Sequence, residues 1–304
     1  MVVRRAIHAL ADRPRVTRWI SDKGMRSGFA RRFIAGETLE EALAAIIELR
    51  NKGMDVTVDY LGEVVRDAEA TRAVTDTYCS ILDRISDPDI GASISLKPTH
   101  LGLSISRELA QENIGRIVAH AKELDNFVRI DMEDSSTTEA TLEIFKTLRP
   151  QYDNLGTVVQ SYLYRTEEDV HKLNALGAKL RLCKGAYKEP AQVAFQDKSE
   201  VDRNYVKVAE LLLREGTYPA FATHDHRVIE HIKSMARKRG IDKDAFEFQM
   251  LYGIRRDVQL QILEDGYRMR IYVPFGQQWL PYFMRRIAER PANAWFVVRA
   301  MLGN

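Results

Sequence analysis

An α/β chain closing into a (βα)8 TIM-type barrel is the fold that this 304-residue sequence predicts. Three observations carry that expectation. Eight β-rich runs recur along the chain, and most gaps between them hold helical patterns. The first run is not followed by a G-x-G-x-x-G turn, which weakens an open doubly wound sheet as the competitor. Strand–helix alternation implies parallel pairing, and eight repeats close most naturally into a barrel.

The chain opens on a basic segment. Residues 1–36 carry nine Lys/Arg against Asp12 and Asp22, a net of +7 that leaves the other 268 residues at −5. Such a segment reads as a soluble helical face, with attraction to anionic lipid head groups as the alternative. "MVVRRAIHALADRP" places charges where a signal peptide needs an unbroken apolar run. No stretch approaches the roughly 18 apolar residues needed to span a bilayer. "ETLEEALAAIIELRNKG" (37–53) combines good helix formers with a closing glycine. Residues 1–54 are therefore assigned to an N-terminal helical extension and 55–304 to the barrel.

The strand candidates follow in order: "VTVDYL" 56–61, "ASISLK" 92–97, "FVRIDM" 127–132, "TVVQSYL" 157–163, "KLRLCK" 179–184, "AFATH" 220–224, "FEFQML" 246–251 and "MRIYVP" 269–274. Helical patterns such as 106–124 and 227–240 lie between them. After the eighth run, "LPYFMRRIAERP" (280–291) reads as a helix set to cover the barrel mouth. On its wheel Tyr282, Arg285, Arg286 and Glu289 share one face, and Leu280, Phe283, Met284 and Ile287 the other. Alone, this is a solvated face. Over a barrel mouth, the paired guanidiniums become a clamp for a carboxylate or phosphate.

Bulk composition sets bounds. Hydrophobic content of 45% and charge of 29% are those of a globular protein, and a net charge of +2 argues against nucleic acid as a partner. Cys79 and Cys183 are far apart and suggest neither a disulfide framework nor a zinc site, so a reducing cytoplasm is expected.

Barrel enzymes gather reactive groups at the C-terminal ends of their strands. Here those ends offer Lys97, Asp131, Glu133, Gln160, Arg181, Lys184, Thr223, His224 and Tyr272. Three chemistries compete for them. Lys97 or Lys184 could form a Schiff base in a lyase or aldolase. His224 and His226, facing the same way on a strand, could begin a metal site for a hydrolase. A flavin enzyme would place cationic side chains near the ring. The residue types alone leave all three open.

Longer motifs narrow the choice. "VDYLGE" 58–63, "RIDMED" 129–134, "LRLCKGAY" 180–187, "ATHD" 222–225, "FQMLYGI" 248–254, "RIYVPFG" 270–276 and "YFMRRIAER" 282–290 resemble, in order, the motifs of the FAD-dependent proline dehydrogenases. The resemblance runs from about residue 55 to the C-terminus. It implies a (βα)8 barrel that oxidises L-proline to Δ1-pyrroline-5-carboxylate, the first step of proline catabolism to glutamate. It further implies hydride transfer to N5 of FAD and a membrane quinone as electron acceptor. Arg285 and Arg286 would pair with the substrate carboxylate, assisted by Lys97. Tyr187, Leu251, Tyr272 and Tyr282 would enclose the ring, Glu289 would orient an arginine, and Asp131 would hold Tyr272 or Lys97. Arg181 would lie near flavin N5, with Met132, Gln160, Lys184, Gly185, Ala186, Thr223 and His224 lining the cofactor. Many relatives carry asparagine where this chain has Arg290. Bifunctional relatives continue into an aldehyde dehydrogenase domain; with this sequence running to Asn304, the second oxidation is expected to belong to another protein. Tyr272 matches the proline-specific pattern, leaving hydroxyproline a minor substrate. The expected location is the cytoplasm, with peripheral contact at the inner face of the membrane through residues 1–36.

Overall fold

In the computed structural model, residues 28, 30–62 and 64–289 are described, with side chains up to Met284. Apart from residues 28 and 30–36, the basic segment therefore lies outside the described residues, as does Arg290.

The eight strands form one closed, all-parallel barrel in sequence order. They are β1 Asp55–Tyr60, β2 Ala92–Leu96, β3 Val128–Ile130, β4 Leu155–Gln160, β5 Lys179–Cys183, β6 Ala220–Ala222, β7 Glu247–Leu251 and β8 Arg268–Phe275. β8 closes on β1, with Val56 opposite Ile271 and Val58 opposite Val273. Each expected strand is present. β3 and β6 are the short ones, because the chain leaves the sheet at the residues that face the mouth.

Among the described residues the α-helices are α1 Leu39–Asn51, α2 Ala68–Ile85, α3 Arg107–Glu123, α4 Ser135–Leu148, α5 Thr166–Asn174, α6 Lys198–Glu215, α7 His226–Arg239, α8 Arg256–Glu264 and α9 Leu280–Glu289. Their starts are chemically specified. Side chains of Thr38, Asp67, Ser106, Asp134, Asp197 and Asp225 each accept a bond from a first-turn N–H, which satisfies donors the helix cannot pair itself. None of these helices is long and apolar enough to cross a membrane.

Strand side chains alternate between two environments. Ile94, Leu96, Val128, Ile130, Leu180, Leu182, Phe248 and Ile271 join the main apolar core with the inner stripes of the helices. Leu43, Ile46 and Leu49 of α1 lie in that same core beside Val56 and Val58. The intervening residues, including Ser95, Arg181, Glu247, Gln249, Arg270 and Tyr272, bond to one another across the barrel interior. Burying so many polar groups is tolerated because they meet partners there.

A second apolar cluster sits at the mouth. Ala30, Phe33 and Ile34 pack with Leu61, Trp279, Tyr282 and Phe283. Trp279 donates to Glu37 at 3.0 Å, and the Ala35 N–H donates to the Pro274 carbonyl at 2.9 Å. Gly253 makes this close approach possible: its φ is +72°, and a Cβ there would lie 1.5 Å from the Arg32 carbonyl oxygen. The segment before α1 is thereby fastened to both the turn after β7 and helix α9.

Candidate active site

The C-terminal ends of the strands surround a cavity of about 560 Å³. Lys97, Asp131, Met132, Gln160, Arg181, Lys184, Gly185, Ala186, Tyr187, Thr223, His224, Leu251, Tyr272 and Tyr282 all line it. The residues picked out by the sequence up to Tyr282, His226 apart, are thus brought to one place. Arg285, Arg286 and Glu289 lie on α9, which also carries Tyr282, but their side chains fall outside the described residues.

At the cavity floor Asp131 receives two donors. Arg181 Nη1 approaches one carboxylate oxygen at 2.6 Å and the Tyr272 hydroxyl the other at 2.8 Å. The guanidinium also lies over the Tyr272 ring, 5.3 Å from its centroid. Burial, and then the charges of Asp131 and Asp59, push the Tyr272 phenol well above its ordinary pKa, so it stays a neutral donor. The sequence left Asp131 a choice between Tyr272 and Lys97, and the structure gives it Tyr272.

Lys97 is held by Asp59 instead, at 2.6 and 2.8 Å. Burial alone would depress its pKa, but the Asp59 and Asp131 carboxylates outweigh that and raise it. A Schiff-base lysine needs the opposite shift. Lys184, the other candidate for that chemistry, is clamped between Asp202 at 2.5 Å and Asp225 at 3.0 Å.

The histidine pair is corrected by the structure. β6 ends at Ala222, and Asp225 caps α7, so His226 opens a helix rather than sharing a strand face with His224. His224 Nε2 accepts the Leu251 N–H at 3.0 Å. Tyr282, expected at the mouth, lines the cavity with one edge while the rest of its ring is buried with Trp279 and Phe283.

The loop after β5 is shaped by Gly185, whose φ of +107° few side chains would accept. A Cβ there would meet the Tyr162 ring at 2.5 Å. Glu189 pins the same loop, accepting from the Ser135 N–H at 2.9 Å and the Tyr162 hydroxyl at 3.1 Å.

Residues 42–299 match the family described as proline dehydrogenase. The chain belongs to the proline dehydrogenase family. It is 45% identical over 272 residues, 90% of each chain, to proline dehydrogenase 2 of Bacillus subtilis (strain 168). Identity is 41% over 304 residues to the proline dehydrogenase of Deinococcus radiodurans, spanning 98% of this chain and 97% of that one. Among solved structures it resembles proline utilization A (PutA) from Bdellovibrio bacteriovorus inactivated by N-propargylglycine, with a TM-score of 0.79 and 29% identity. That match covers 86% of this chain and 32% of the longer protein.

For this proline dehydrogenase family member, Asp59 and Gln249 also line the cavity, although the sequence did not single them out. Both left a signal. Asp59 interrupts the apolar run of β1, and Gln249 follows Glu247 two residues on, so that both face the barrel interior.

Proposed function

We propose that this chain oxidises L-proline to Δ1-pyrroline-5-carboxylate with FAD as cofactor, and passes the electrons to a membrane quinone. The observation that carries the reading is the convergence of Asp131, Arg181, Tyr272 and Lys97 with Tyr187, Leu251 and Tyr282 around one cavity.

The cavity fits a flavin ring. Gln160 is buried; its Nε2 donates to the Glu133 carbonyl at 3.1 Å, while its Oε1 meets no donor among the described residues. That acceptor suits an N–H edge of a planar heterocycle, and Met132, Val158 and Met250 supply apolar walls. Lys184, Gly185, Ala186, Thr223 and His224 would hold the rest of the cofactor. When bound, FAD supplies the two-electron acceptor for the hydride leaving the ring carbon beside the proline nitrogen.

The residues of the chain prepare that transfer. Arg181, fixed by three hydrogen bonds, puts a positive charge at the cavity floor, where it stabilises negative charge arriving with the electrons. Lys97, Arg181 and Lys184 are each already paired with a carboxylate. The grip on the substrate carboxylate is accordingly assigned to Arg285 and Arg286, with Glu289 orienting one of them. Tyr272 and Tyr282, with Tyr187 and Leu251, set the size of the ring pocket. Membrane contact is assigned to the basic residues 1–36, and it predicts salt-sensitive liposome binding that is lost when the segment is deleted.

Arg285→Met and Arg286→Met test the assignment. The proline KM rises on the order of 100-fold or more while the flavin stays bound. Loss of flavin with unchanged KM in the remaining holoenzyme would make the pair structural.

A further inference from the structure

The Arg181 guanidinium is held from three strands. Nη1 donates to Asp131 just after β3, Nη2 to Ser95 Oγ on β2 at 3.0 Å, and Nε to Gln249 Oε1 on β7 at 2.6 Å. The Gln249 bond is the least ordinary, because its partner is itself constrained. Gln249 Nε2 donates to Glu247 Oε1, and Arg270 Nε donates to the same oxygen at 2.8 Å. The Tyr218 hydroxyl approaches the other carboxylate oxygen at 3.2 Å. Glu247, Gln249 and Arg181 are all at least 95% buried.

Donor and acceptor chemistry then leaves one arrangement. Burial would raise the Glu247 pKa, but Arg270 outweighs it and holds the group down at about 2, so it is an ionised, acceptor-only partner near neutral pH. Arginine Nε–H is donor-only. A residue between them must donate on one side and accept on the other, in a dry interior where a missed bond is costly. An amide meets both demands. A carboxylate at position 249 would face the Glu247 carboxylate, and an aliphatic side chain would offer Arg181 nothing.

We propose that Gln249 is a positioning residue, oriented by Glu247, that fixes the Arg181 guanidinium at the cavity floor in the geometry the reaction uses. The proposal rests on the flavin-dependent proline oxidation argued above. It extends that site downward, to a polar chain that ties the mouth to Arg270 at the opposite end of the barrel.

The test uses full-length holoenzyme and three variants: Gln249→Leu, Gln249→Glu, and the double exchange Glu247→Gln with Gln249→Glu. Gln249→Leu is expected to lower kcat for L-proline 10- to 100-fold, as a displaced charge does, with KM within about twofold. The midpoint potential of its bound flavin, measured by reductive titration, shifts negative as the Arg181 charge moves away. The double exchange restores one donor opposite one acceptor along the chain, so its kcat recovers roughly tenfold over Gln249→Glu alone. A Gln249→Leu protein with a lowered Tm but unchanged kcat per bound flavin and unchanged potential would overturn the proposal. Should Gln249→Leu not fold, the absence of recovery in the double exchange overturns it instead. An unsubstituted protein that holds no flavin and leaves L-proline intact would overturn the functional reading, whereas an active one indifferent to these substitutions overturns only the positioning role.

Discussion

Asp59 holds the Lys97 ammonium through both carboxylate oxygens, at 2.6 and 2.8 Å, in the wall of the cavity. The carboxylate is wholly buried and the lysine side chain is 16% exposed. Lys97 is therefore a fixed cation of the site, not a free amine.

Removing one partner of such a pair strands the other. Asp59→Ala is expected to cost about 3 kcal/mol of folding stability, and Asp59→Leu combined with Lys97→Met costs less than Asp59→Ala alone. Urea unfolding of the three proteins checks this. A loss below about 1 kcal/mol for the single variant would place the pair with weak surface bridges.

Asp131 joins Arg181 to Tyr272, so its substitution disturbs both. Tyr272→Phe removes one hydrogen bond and lowers kcat/KM up to about tenfold. Asp131→Asn releases the guanidinium and lowers it on the order of 100-fold. Because the effects share one carboxylate, the double variant is expected to be little worse than Asp131→Asn alone. Additive losses would mean that the two contacts act independently.

His100 makes stability depend on pH. It is 4% exposed and stacks on Tyr60 with ring centroids 5.8 Å apart. Burial, followed by the Lys97 charge, lowers its pKa from 6.5 to about 4. As pH falls below 6.5 the unfolded chain takes up the proton first, so the stabilisation is complete above that pH and is lost as pH drops through about 4. The loss is on the order of 3 kcal/mol. Unfolding free energies near pH 7 and pH 4.5 measure it. His100→Phe keeps the stacking and should flatten that part of the profile. An unchanged slope would assign the effect to other groups.

Substrate ionisation sets a second pH dependence. Hydride departure draws on the nitrogen lone pair, and the proline amine is protonated below a pKa near ~10. The rate of flavin reduction by L-proline should therefore rise from neutral to alkaline pH. A flat or falling profile would remove amine deprotonation from the account.

The fold was legible because each strand and helix carries its own local pattern, and eight alternations leave few ways to close a sheet. The cavity was legible where a polar residue ends an apolar strand, as at Lys97, Asp131 and Arg181. Asp59 and Gln249 sit inside strand runs, where only the period-two alternation marks them, and the site cations they bond, Lys97 and Arg181, lie far away in sequence. Tyr282 was legible as a residue of the mouth, but its packing with Phe33 and Ile34 was not, because those two arrive from the other end of the chain and leave no mark on the wheel. His226 was read as strand because the competing signal, Asp225 as a helix cap, is a single residue.

The proposed reaction takes two electrons from L-proline into a flavin bound in this cavity. Anaerobic addition of L-proline to the purified protein, followed by visible absorbance, tests it most directly. The expected result is a yellow protein whose flavin absorbance bleaches with L-proline. A colourless protein, or a flavin left oxidised by saturating L-proline, would contradict it.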